Sequence, residues 1–336
     1  MIITREEITD LYSKFSNYKV LVIGDVMIDS YLIGKVDRIS PEAPVPVVAL
    51  KQRHNMLGGA ANVALNVKAM GAEAILCSVI GNDSQGNELI NLMQKAGLNT
   101  EGIIRSSNRI TTTKYRIISN HTQMLRVDEE MDADLEITDS EELQQIISGL
   151  VTKLSPQVII LQDYNKGVLT PDLIEKVSSI AAIAGIPVAV DPKKKNFAAY
   201  KNITLFKPNL KEITEGLKIE VNPLSKESLQ KAADLLHTSQ TISTVLITLS
   251  ENGIFISSKE PAGNSSAVIP AVKRSIADVS GAGDTVISVA ALCLAAGINP
   301  ERTAAISNLA GGLVCEQSGV VPVDKNRLQA EATAGL

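Results

Sequence analysis

Residues 278–284, DVSGAGD, stand directly before the apolar run 285–296 and decide how the rest of the chain is interpreted. Gly281, Ala282 and Gly283 are small enough for a tight turn that directs free backbone N–H groups outward at a helix start. Such a helix start binds anions. Asp284 would repel a phosphate there, unless it accepts the proton of a nucleophile that attacks this phosphate. The stretch therefore indicates phosphoryl transfer, and an aspartate N-cap with glycine-rich turn chemistry is the alternative.

Along the chain, short apolar runs rich in β-branched residues alternate with amphipathic segments of helical spacing. The runs predict strands at 19–23, 74–80, 158–161, 188–190, 205–206 and 244–249, and hairpin strands at 254–257 and 267–269. The amphipathic segments predict helices at 58–70, 84–96, 171–184, 225–237, 281–296 and 300–317. Apolar strands separated by helices indicate a mostly parallel sheet covered on both faces, with ligands at the carboxyl ends of its strands.

Two stretches without a neighbouring helix break this alternation. Residues 31–50 contain three prolines and end in VPVVAL, and residues 111–128 alternate as two exposed strands do. We expect them to pair as a small separate sheet over one edge of the main sheet, as a lid. The unpaired edges of such strands are suited to a second copy of the chain, which predicts a homodimer through the lid.

The composition is that of a folded protein with one core domain, since the 336 residues are 45% hydrophobic and 21% charged. Lys and Arg number 32 against 37 Asp and Glu, so the chain has no basic footprint for nucleic acid. The polar start, MIITREEITDLYSKF, has no apolar signal core, and no apolar run is long enough to span a bilayer. We therefore expect a cytoplasmic protein without nucleic-acid or membrane partners.

Glycine and polar residues follow two predicted strands. The stretch 58–62, GGAAN, opens a predicted helix, where a glycine pair permits close approach of a ligand and Asn62 can donate and accept. Asp25 and Asp29 lie just beyond the first strand, and carboxylates there would bind sugar hydroxyls and repel a pyrophosphate. The dinucleotide fingerprint G-x-G-x-x-G is missing, since only Gly24 stands at this turn. Packing of small residues between helix and sheet is the alternative for the glycine pair.

The stretch 207–212, KPNLKE, follows the short strand at 205–206. Asn209 and Glu212 are three residues apart and can face the same side of a first helical turn. Their oxygens beside a phosphate site would favour Mg²⁺ held through water, and a capping box formed by the same pair is the alternative. The chain contains no GxxxxGK[ST] sequence, which excludes a P-loop kinase.

Taken together, these motifs resemble those of the PfkB/ribokinase family of carbohydrate kinases. They follow the family's order over residues 17–323: Gly-Asp after the first strand, a Gly-Gly-x-x-Asn helix start, N-x-x-E, and D-x-x-G-A-G-D near the C-terminus. The resemblance implies a ribokinase-like three-layer α/β/α sandwich with a mostly parallel sheet and a small β lid, formed as one kinase domain by residues 1–336. It also implies an ATP-dependent sugar kinase that uses Mg²⁺.

Several stretches resemble the heptose kinase branch of this family more narrowly. They are GDVMIDSY (24–31), RISPEAPVPV (38–47), TTTKYRIIS (111–119), QMLRVDEE (123–130), QDYNKG (162–167) and VDPK (190–193). This branch phosphorylates D-glycero-D-manno-heptose 7-phosphate at the anomeric oxygen, for the synthesis of ADP-heptose and lipopolysaccharide. Many relatives carry a fused nucleotidyltransferase domain with an HxGH motif, which this sequence lacks, so the stand-alone kinase is expected. A family kinase for another sugar (ribose, fructose or a sugar phosphate) and a non-catalytic sugar or nucleotide sensor are the alternatives.

The resemblance assigns roles to the residues that match the family's motifs. Asp284 would be the general base, and the anion hole would be formed by the N–H groups of Gly281, Ala282 and Gly283. The sugar would be held by Asp25, Asp29, Gly58, Gly59 and Asn62. Asn209 and Glu212 would organise Mg²⁺, through water, and the phosphates of ATP. Contacts with the nucleotide would come from Ser250, Glu251, Gly253 and Asn308.

A substrate that already carries a phosphate also needs cations, because guanidinium and ammonium groups recognise phosphate. The candidates are Arg38, Arg116 and Arg126 near the lid, and Lys166 and Lys193 after strands. A solvated surface charge is the alternative for each of them. The three histidines, His54, His121 and His237, have no ligand spacing, so no His or Cys metal site is predicted.

Overall fold

The computed structural model describes residues 4–120, 122–259 and 264–335, and His121 lies outside them. The strands are β1 (Lys19–Gly24), β2 (Val26–Ile39), β3 (Pro46–Gly59), β4 (Glu73–Gly81), β5 (Ile103–Ser106), β6 (Thr113–Ser119), β7 (Thr122–Glu129), β8 (Val158–Gln162), β9 (Val188–Asp191), β10 (Leu205–Phe206), β11 (Thr244–Thr248), β12 (Ile254–Ser258) and β13 (Ser265–Ile269). The helices are α1 (Arg5–Phe15), α2 (Ala60–Ala69), α3 (Ser84–Lys95), α4 (Ile137–Leu154), α5 (Pro171–Ala184), α6 (Leu210–Leu217), α7 (Lys226–Ser239), α8 (Ala282–Ala295), α9 (Pro300–Val314) and α10 (Lys325–Gly335). None of these helices is long and apolar enough to cross a membrane.

The larger sheet has the strand order β13-β12-β11-β10-β9-β8-β1-β4-β5 within the described residues. The strands from β11 to β5 pair in parallel, and β12 and β13 add an antiparallel edge. Alternate residues of β1 enter different cores: Val20 and Val22 pack on the side of α2, α8 and α9, whereas Leu21 and Ile23 pack under α4, α5 and α7. The predicted α/β/α sandwich with a mostly parallel sheet is confirmed.

The structure adds α1, α4, α10 and β5 to the predicted elements. α1 begins at a capping box in which the side chains of Thr4 and Glu7 bind each other's backbone N–H groups. It buries Ile8 and Phe15 completely in the core beside α10. α4 has no side-chain N-cap bond, so no local signal marks its start in the sequence, and packing on the sheet stabilises it instead.

Strands β3-β2-β6-β7 form a second sheet, called the lid sheet below. β2 and β3 pair from Val26 with Gly59 to Ile39 with Pro46, so the predicted lid stretch 31–50 extends further at both ends. The glycine pair therefore ends β3, and α2 begins at Ala60 instead of residue 58. Only one residue separates β1 from β2, which places the lid sheet beside the carboxyl ends of the main strands.

Candidate active site

Four polar side chains stand at the carboxyl ends of strands of the main sheet, and three of them, Gln162, Asp191 and Lys207, are in contact. Asp25 follows β1, Gln162 and Asp191 end β8 and β9, and Lys207 follows β10. Gln162 donates to Oδ2 of Asp191 at 3.1 Å, and the same oxygen lies 3.1 Å from Nζ of Lys207. α8 starts over this edge, since its Asp284 accepts a hydrogen bond from Gln162. The cluster lies where open parallel sheets bind their ligands.

Asp284, in the first turn of α8, is only 4% exposed and accepts hydrogen bonds from other elements. Asn62 of α2 donates to Oδ2 at 2.8 Å. Tyr164 and Gln162 donate to Oδ1 at 2.7 Å and 3.2 Å. Burial raises the pKa of Asp284 to about 6, although the bonds from Asn62 and Tyr164 lower it. A carboxylate that titrates near neutral pH is suited to accept and release a proton.

The turn before Asp284 leaves the start of α8 open. Gly281 is the N-cap, with a φ of 80° and no side-chain bond to the first turn. The aspartate cap considered above is not formed, because Asp278 accepts bonds from the N–H groups of Ser280 and Gly319 at 2.9 Å and 3.0 Å. A Cβ on Gly281 would lie 3.0 Å from Nδ2 of Asn62, so a larger residue would press on the partner of the base. The N–H group of Ala282 donates within the turn to the carbonyl oxygen of Val279 at 3.3 Å, so those of Gly281 and Gly283 are the ones that can face an anion.

Two ammonium groups lie beside this helix start. Lys207 is 2% exposed, and a Cβ on Gly283 would lie 3.6 Å from its Nζ. Lys193 forms an ion pair with Glu212 and lies 3.9 Å from Oδ1 of Asp191. Although burial alone would lower it, these two carboxylates raise the pKa of Lys193, which therefore stays charged at neutral pH. The site thus combines a buried carboxylate that can take up a proton with positive charge that can face an anion.

Sequence reasoning did not assign Gln162, Tyr164, Asp191 or Lys207 to the site. Each of them ends or follows a strand of the main sheet, and this position is the signal that could have found them. They lie in the stretches QDYNKG, VDPK and KPNLKE, of which only other members were selected above. Their mutual contacts depend on the strand order, which the sequence pattern does not contain.

Asp25 organises the loop between β8 and α5 and is 1% exposed. Its Oδ2 accepts the N–H groups of Tyr164 and Lys166 at 2.7 Å and 3.1 Å, and its Oδ1 accepts that of Val168 at 3.0 Å. Burial and repulsion from Asp163 raise the pKa of Asp25 to about 6, against the lowering effect of these bonds. Asp25 thus holds the loop that carries Tyr164, and its assignment as a sugar ligand stays a prediction.

Asp29 lies on β2, where the lid sheet leaves the core. It forms an ion pair with Arg116 of β6, whose guanidinium also lies over the ring of Tyr31, 5.3 Å from its centroid. A Cβ on Gly58 would lie 2.3 Å from Oδ2 of Asp29, so this carboxylate packs directly against the glycine backbone. Gly59 has a φ of 61° and turns the chain into α2. These residues connect the lid sheet to the helix that carries a partner of the base.

A charged cluster joins the lid sheet to the loop after β8. Lys114 of β6 binds Asp128 at 3.1 Å and Glu130 at 3.0 Å, and Lys166 of the loop binds Glu130 at 2.7 Å. The side chains of both lysines are 15% exposed, so water screens these ion pairs incompletely. Although burial alone would raise it, the bonds from the two lysines lower the pKa of Glu130. Glu130 is therefore an anion held between two ammonium groups, and Lys114 is a cation that sequence reasoning missed.

The two remaining lid arginines have separate positions. Arg126 is paired across the strands with Arg116, but its guanidinium binds Asp128 at 2.8 Å and is 51% exposed. Arg38 is exposed and lies nine residues beyond Asp29 on β2, about 30 Å away at the usual rise of a strand. Because β2 continues as one long strand, the structure separates Arg38 from the other predicted cations.

Asn209 and Glu212 form a reciprocal capping box at the start of α6, with two backbone-to-side-chain bonds of 2.8 Å. The other carboxylate oxygen of Glu212 binds Lys193. Nearby, Oδ1 of Asp191 is buried and has no hydrogen-bond partner in the part of the chain that the structure describes. Among the described residues, no three His, Cys, Asp or Glu side chains are grouped to hold a metal ion. The oxygens present fit Mg²⁺ only as ligands that act through water.

The four predicted nucleotide residues lie around the end of β13. Two of them belong to the turn Ser250–Asn252 after β11. Gly253 follows with a φ of 89°, and a Cβ there would lie 2.0 Å from the carbonyl oxygen of Ile269. Asn308 of α9 donates to the carbonyl oxygen of Pro270 at 2.8 Å. The structure thus brings Gly253 and Asn308 to the same short segment.

A buried carboxylate at a helix start, set at the carboxyl edge of a parallel sheet and beside a small second sheet, is the arrangement expected of a carbohydrate kinase of the ribokinase type. The chain belongs to the pfkB family carbohydrate kinases, which it matches over residues 17–326. It is therefore a phosphotransferase that acts on a sugar hydroxyl, and kinases of this family use ATP.

Among curated proteins, the chain is similar to bifunctional proteins named HldE. It is 41% identical over 321 residues to that of Desulfatibacillum aliphaticivorans, and the match covers 95% of this chain and 64% of the relative. It is 42% identical over 323 residues to that of Caulobacter vibrioides, again covering 95% of this chain and 64% of the relative. The chain thus spans less than two thirds of the length of these relatives.

Among solved structures, the chain is similar to phosphofructokinase-2 from Escherichia coli in complex with potassium. The TM-score is 0.76 at 19% identity, and the match covers 94% of this chain and 99% of that one. Arabidopsis thaliana ribokinase complexed with ribose and ATP has a TM-score of 0.70 at 16% identity, covering 93% and 98% of the two chains. At these identities the similarity concerns the fold, and the predicted ribokinase-like fold is confirmed.

Proposed function

We propose that this kinase transfers the γ-phosphoryl group of ATP to the anomeric hydroxyl of D-glycero-D-manno-heptose 7-phosphate. The observation that carries phosphoryl transfer is Asp284, a buried carboxylate at an open helix start. A phosphorylated heptose as the acceptor is supported by the relatives named HldE and by Lys114 and Lys166 at the lid sheet, called the lysine pair below. The product, a 1,7-bisphosphate, would serve the synthesis of ADP-heptose and lipopolysaccharide.

In this proposal Asp284 accepts the proton of the attacking hydroxyl. The N–H groups of Gly281 and Gly283 and the ammonium of Lys207 stabilise the charge that spreads over the transferred group, and the N–H group of Ala282 would join them by leaving its bond to Val279. Bound Mg²⁺ would supply neutralisation of the ATP phosphates. Asn209 and Glu212 would hold this ion through water, with the unpartnered Oδ1 of Asp191 as a further acceptor for those waters.

We place the sugar between Asp29 and Asp284. One oxygen of Asp29 is engaged by Arg116, while Oδ2 lies against the backbone of Gly58 and is available to a sugar hydroxyl. The nucleotide would lie on the other side of the helix start, beside the segment that Gly253 and Asn308 both approach. Ser250 and Glu251 would border it from the turn after β11.

We place the 7-phosphate at Lys114 and Lys166. Lys114 is the register partner of Asp29 on the lid sheet, and Lys166 lies two residues after Tyr164, which binds Asp284. A seven-carbon sugar whose anomeric end is at the base can therefore carry its phosphate to these lysines. Glu130 occupies the lysine pair in the free enzyme, and a dianionic phosphate would displace it by its greater charge. Arg116 and Arg126 would support the cluster by neutralising lid carboxylates.

The main sheet and the lid sheet would act as one kinase domain, with the lid sheet excluding water during transfer. We also propose a homodimer through the lid sheet. On its face opposite Arg116, Leu125 and Val127 are 56% and 45% exposed, an apolar surface that a second copy would cover. Light scattering tests the dimer: Leu125→Glu should give a monomer, and an unchanged dimer mass would contradict this interface.

The substrate is tested by ADP release with Mg·ATP and a panel of acceptors. The panel contains D-glycero-D-manno-heptose 7-phosphate, ribose, fructose and fructose 6-phosphate, and the Asp284→Asn protein is the control for contaminating kinases. Turnover on the heptose phosphate alone supports the proposal. Turnover on a free sugar alone would show that this sugar, and not the heptose phosphate, is the substrate. The lysine pair would then not be a phosphate site. If the heptose phosphate causes no ADP release, the proposed substrate is contradicted.

A further inference from the structure

The three donors around Asp284 are distributed unequally between its two oxygens. Oδ1 accepts from Tyr164 at 2.7 Å and from Gln162 at 3.2 Å, whereas Oδ2 accepts, among the described residues, from Asn62 alone at 2.8 Å. A carboxylate oxygen has two lone-pair directions. Both directions at Oδ1 are therefore occupied, and one direction at Oδ2 is open.

We infer that Tyr164 is a positioning residue for the base, and that it directs the proton of the sugar hydroxyl to Oδ2 of Asp284. The inference concerns the base and not the sugar, so it goes beyond the proposed heptose substrate and holds for any acceptor of this kinase. Tyr164 acts through Asp284 and makes no contact with the reacting hydroxyl in this account.

Tyr164 is held so that it can only donate to the base. Its backbone N–H binds Oδ2 of Asp25 at 2.7 Å, and the ammonium of Lys193 lies 5.4 Å from the centroid of its ring. Burial, and then the negative charge of Asp284, raise the pKa of the Tyr164 hydroxyl well above its usual value. The phenol therefore stays protonated at any working pH and donates its single proton to Oδ1.

The other groups that face Asp284 come from every element around α8. Asn62 donates from α2, and Gln162 donates from the end of β8. The charged groups are Asp191 at the end of β9, which raises the pKa of Asp284, Lys207 after β10, which lowers it, and Lys193, whose own pKa is raised by Asp284 among other carboxylates. None of these groups depends on the Tyr164 hydroxyl for its position. Loss of this hydroxyl would therefore leave their effects in place and remove one stabilising bond from the carboxylate.

With this geometry, the bonds that break and form during the transfer can be followed one by one. The hydroxyl O–H bond breaks as its proton moves to Oδ2, and the hydroxyl oxygen forms a bond to the γ-phosphorus. The bond from that phosphorus to the bridging oxygen breaks, and ADP leaves with the electron pair. Asp284 holds the proton until it passes to water, while Oδ1 keeps its two donors throughout.

The test compares Tyr164→Phe with the matched variant Tyr200→Phe. Tyr200 is also buried, and its hydroxyl donates at 2.8 Å to Asp163, on the same loop but away from the base. The pKa of Asp284 is measured by ¹³C NMR of the aspartate carboxyl carbons, with Asp284→Asn to assign the signal, so no substrate is needed. The wild type should titrate at about 6. Tyr164→Phe should raise this midpoint by about one pH unit, since a bond to a charged group is lost, and Tyr200→Phe should not move it.

The acidic limb of kcat/KM, measured with whichever panel sugar turns over, should move by the same amount in Tyr164→Phe alone. An unchanged Asp284 midpoint in Tyr164→Phe, or equal shifts in both variants, would overturn the inference. If Tyr164→Phe does not fold, 3-fluorotyrosine at position 164 decides the question. Its more acidic phenol has nearly the same shape and is a stronger hydrogen-bond donor. The midpoint of the Asp284 titration must therefore fall below that of the wild type, and an unchanged or higher midpoint overturns the inference.

Discussion

The side-chain amide of Asn62 donates to Oδ2 of Asp284 at 2.8 Å, across 222 residues of sequence. Asn62 lies in the first turn of α2, directly after the end of β3, whereas Asp284 lies in the first turn of α8. This bond therefore joins the helix that continues the lid sheet to the helix that carries the base. A displacement of β3 would be transmitted to the base through two residues and one hydrogen bond.

The first prediction concerns turnover. Asp284→Asn should fold and should lose at least ~10²-fold in kcat, because the attacking hydroxyl then has no base. KM for ATP should stay close to that of the wild type, since the charge change lies on the acceptor side of the helix start. The measurement is steady-state ADP release on purified protein with circular dichroism as the folding control. Wild-type kcat in this variant would contradict the assigned base.

The second prediction concerns the pH dependence of stability. The pKa of Asp284 is about 6 in the folded chain and 3.8 when unperturbed, so the folded state binds the proton more tightly. The contribution of this group to the free energy of unfolding is fully present below pH 3.8. It is lost as the pH rises through 6, which lowers the free energy of unfolding by about 3 kcal/mol. The asparagine in Asp284→Asn does not titrate, so the variant does not lose this free energy of unfolding as the pH rises. Denaturant unfolding should therefore show that the variant gains stability relative to the wild type between pH 4 and pH 7. A difference that does not depend on pH would contradict the raised pKa.

The third prediction concerns the contact between the lid sheet and the sugar. Gly58→Ala adds a Cβ at 2.3 Å from Oδ2 of Asp29, so the carboxylate must move. KM for the sugar should rise by about tenfold, because one hydrogen bond from the sugar to a charged group is lost. KM for ATP should be unchanged. Gly149→Ala is the matched control, because a Cβ there meets nothing within 4 Å. Equal sugar KM values in both variants would show that Asp29 does not bind the sugar.

The sequence was sufficient for the main sheet, since continuously apolar strands such as β1 and β8 alternate with helices. The start of α8 was also predictable, because small residues directly before an apolar helical run favour a turn, whereas the role of Asp284 as the base stays a prediction. The donors to Asp284 could not be predicted in the same way. Gln162 reaches the base because β8 lies next to β1 in the sheet, and strand order is a property of the whole fold.

The extent of the lid sheet was underestimated for a related reason. The glycine pair ends a strand because Gly59 pairs with Val26 across the sheet, whereas its local signal favours a helix start. Asp25 has the residue type of a sugar ligand, but three backbone N–H groups of a distant loop occupy it. Residue type thus indicates which chemistry is available, and only tertiary contacts decide where it is used.

The last prediction concerns the phosphate of the substrate. Lys166→Gln should raise KM for the heptose phosphate by about 10- to 100-fold, because a charged hydrogen bond to phosphate is lost, and KM for ATP should not change. Glu130→Gln should lower KM for the same substrate, because the anion that now holds Lys114 and Lys166 no longer competes. Lys35→Gln is the matched control, since Lys35 is a lysine of the lid sheet that pairs with Asp37 in solvent. If Lys166→Gln and Lys35→Gln have the same KM for the heptose phosphate, the phosphate does not bind at the lysine pair.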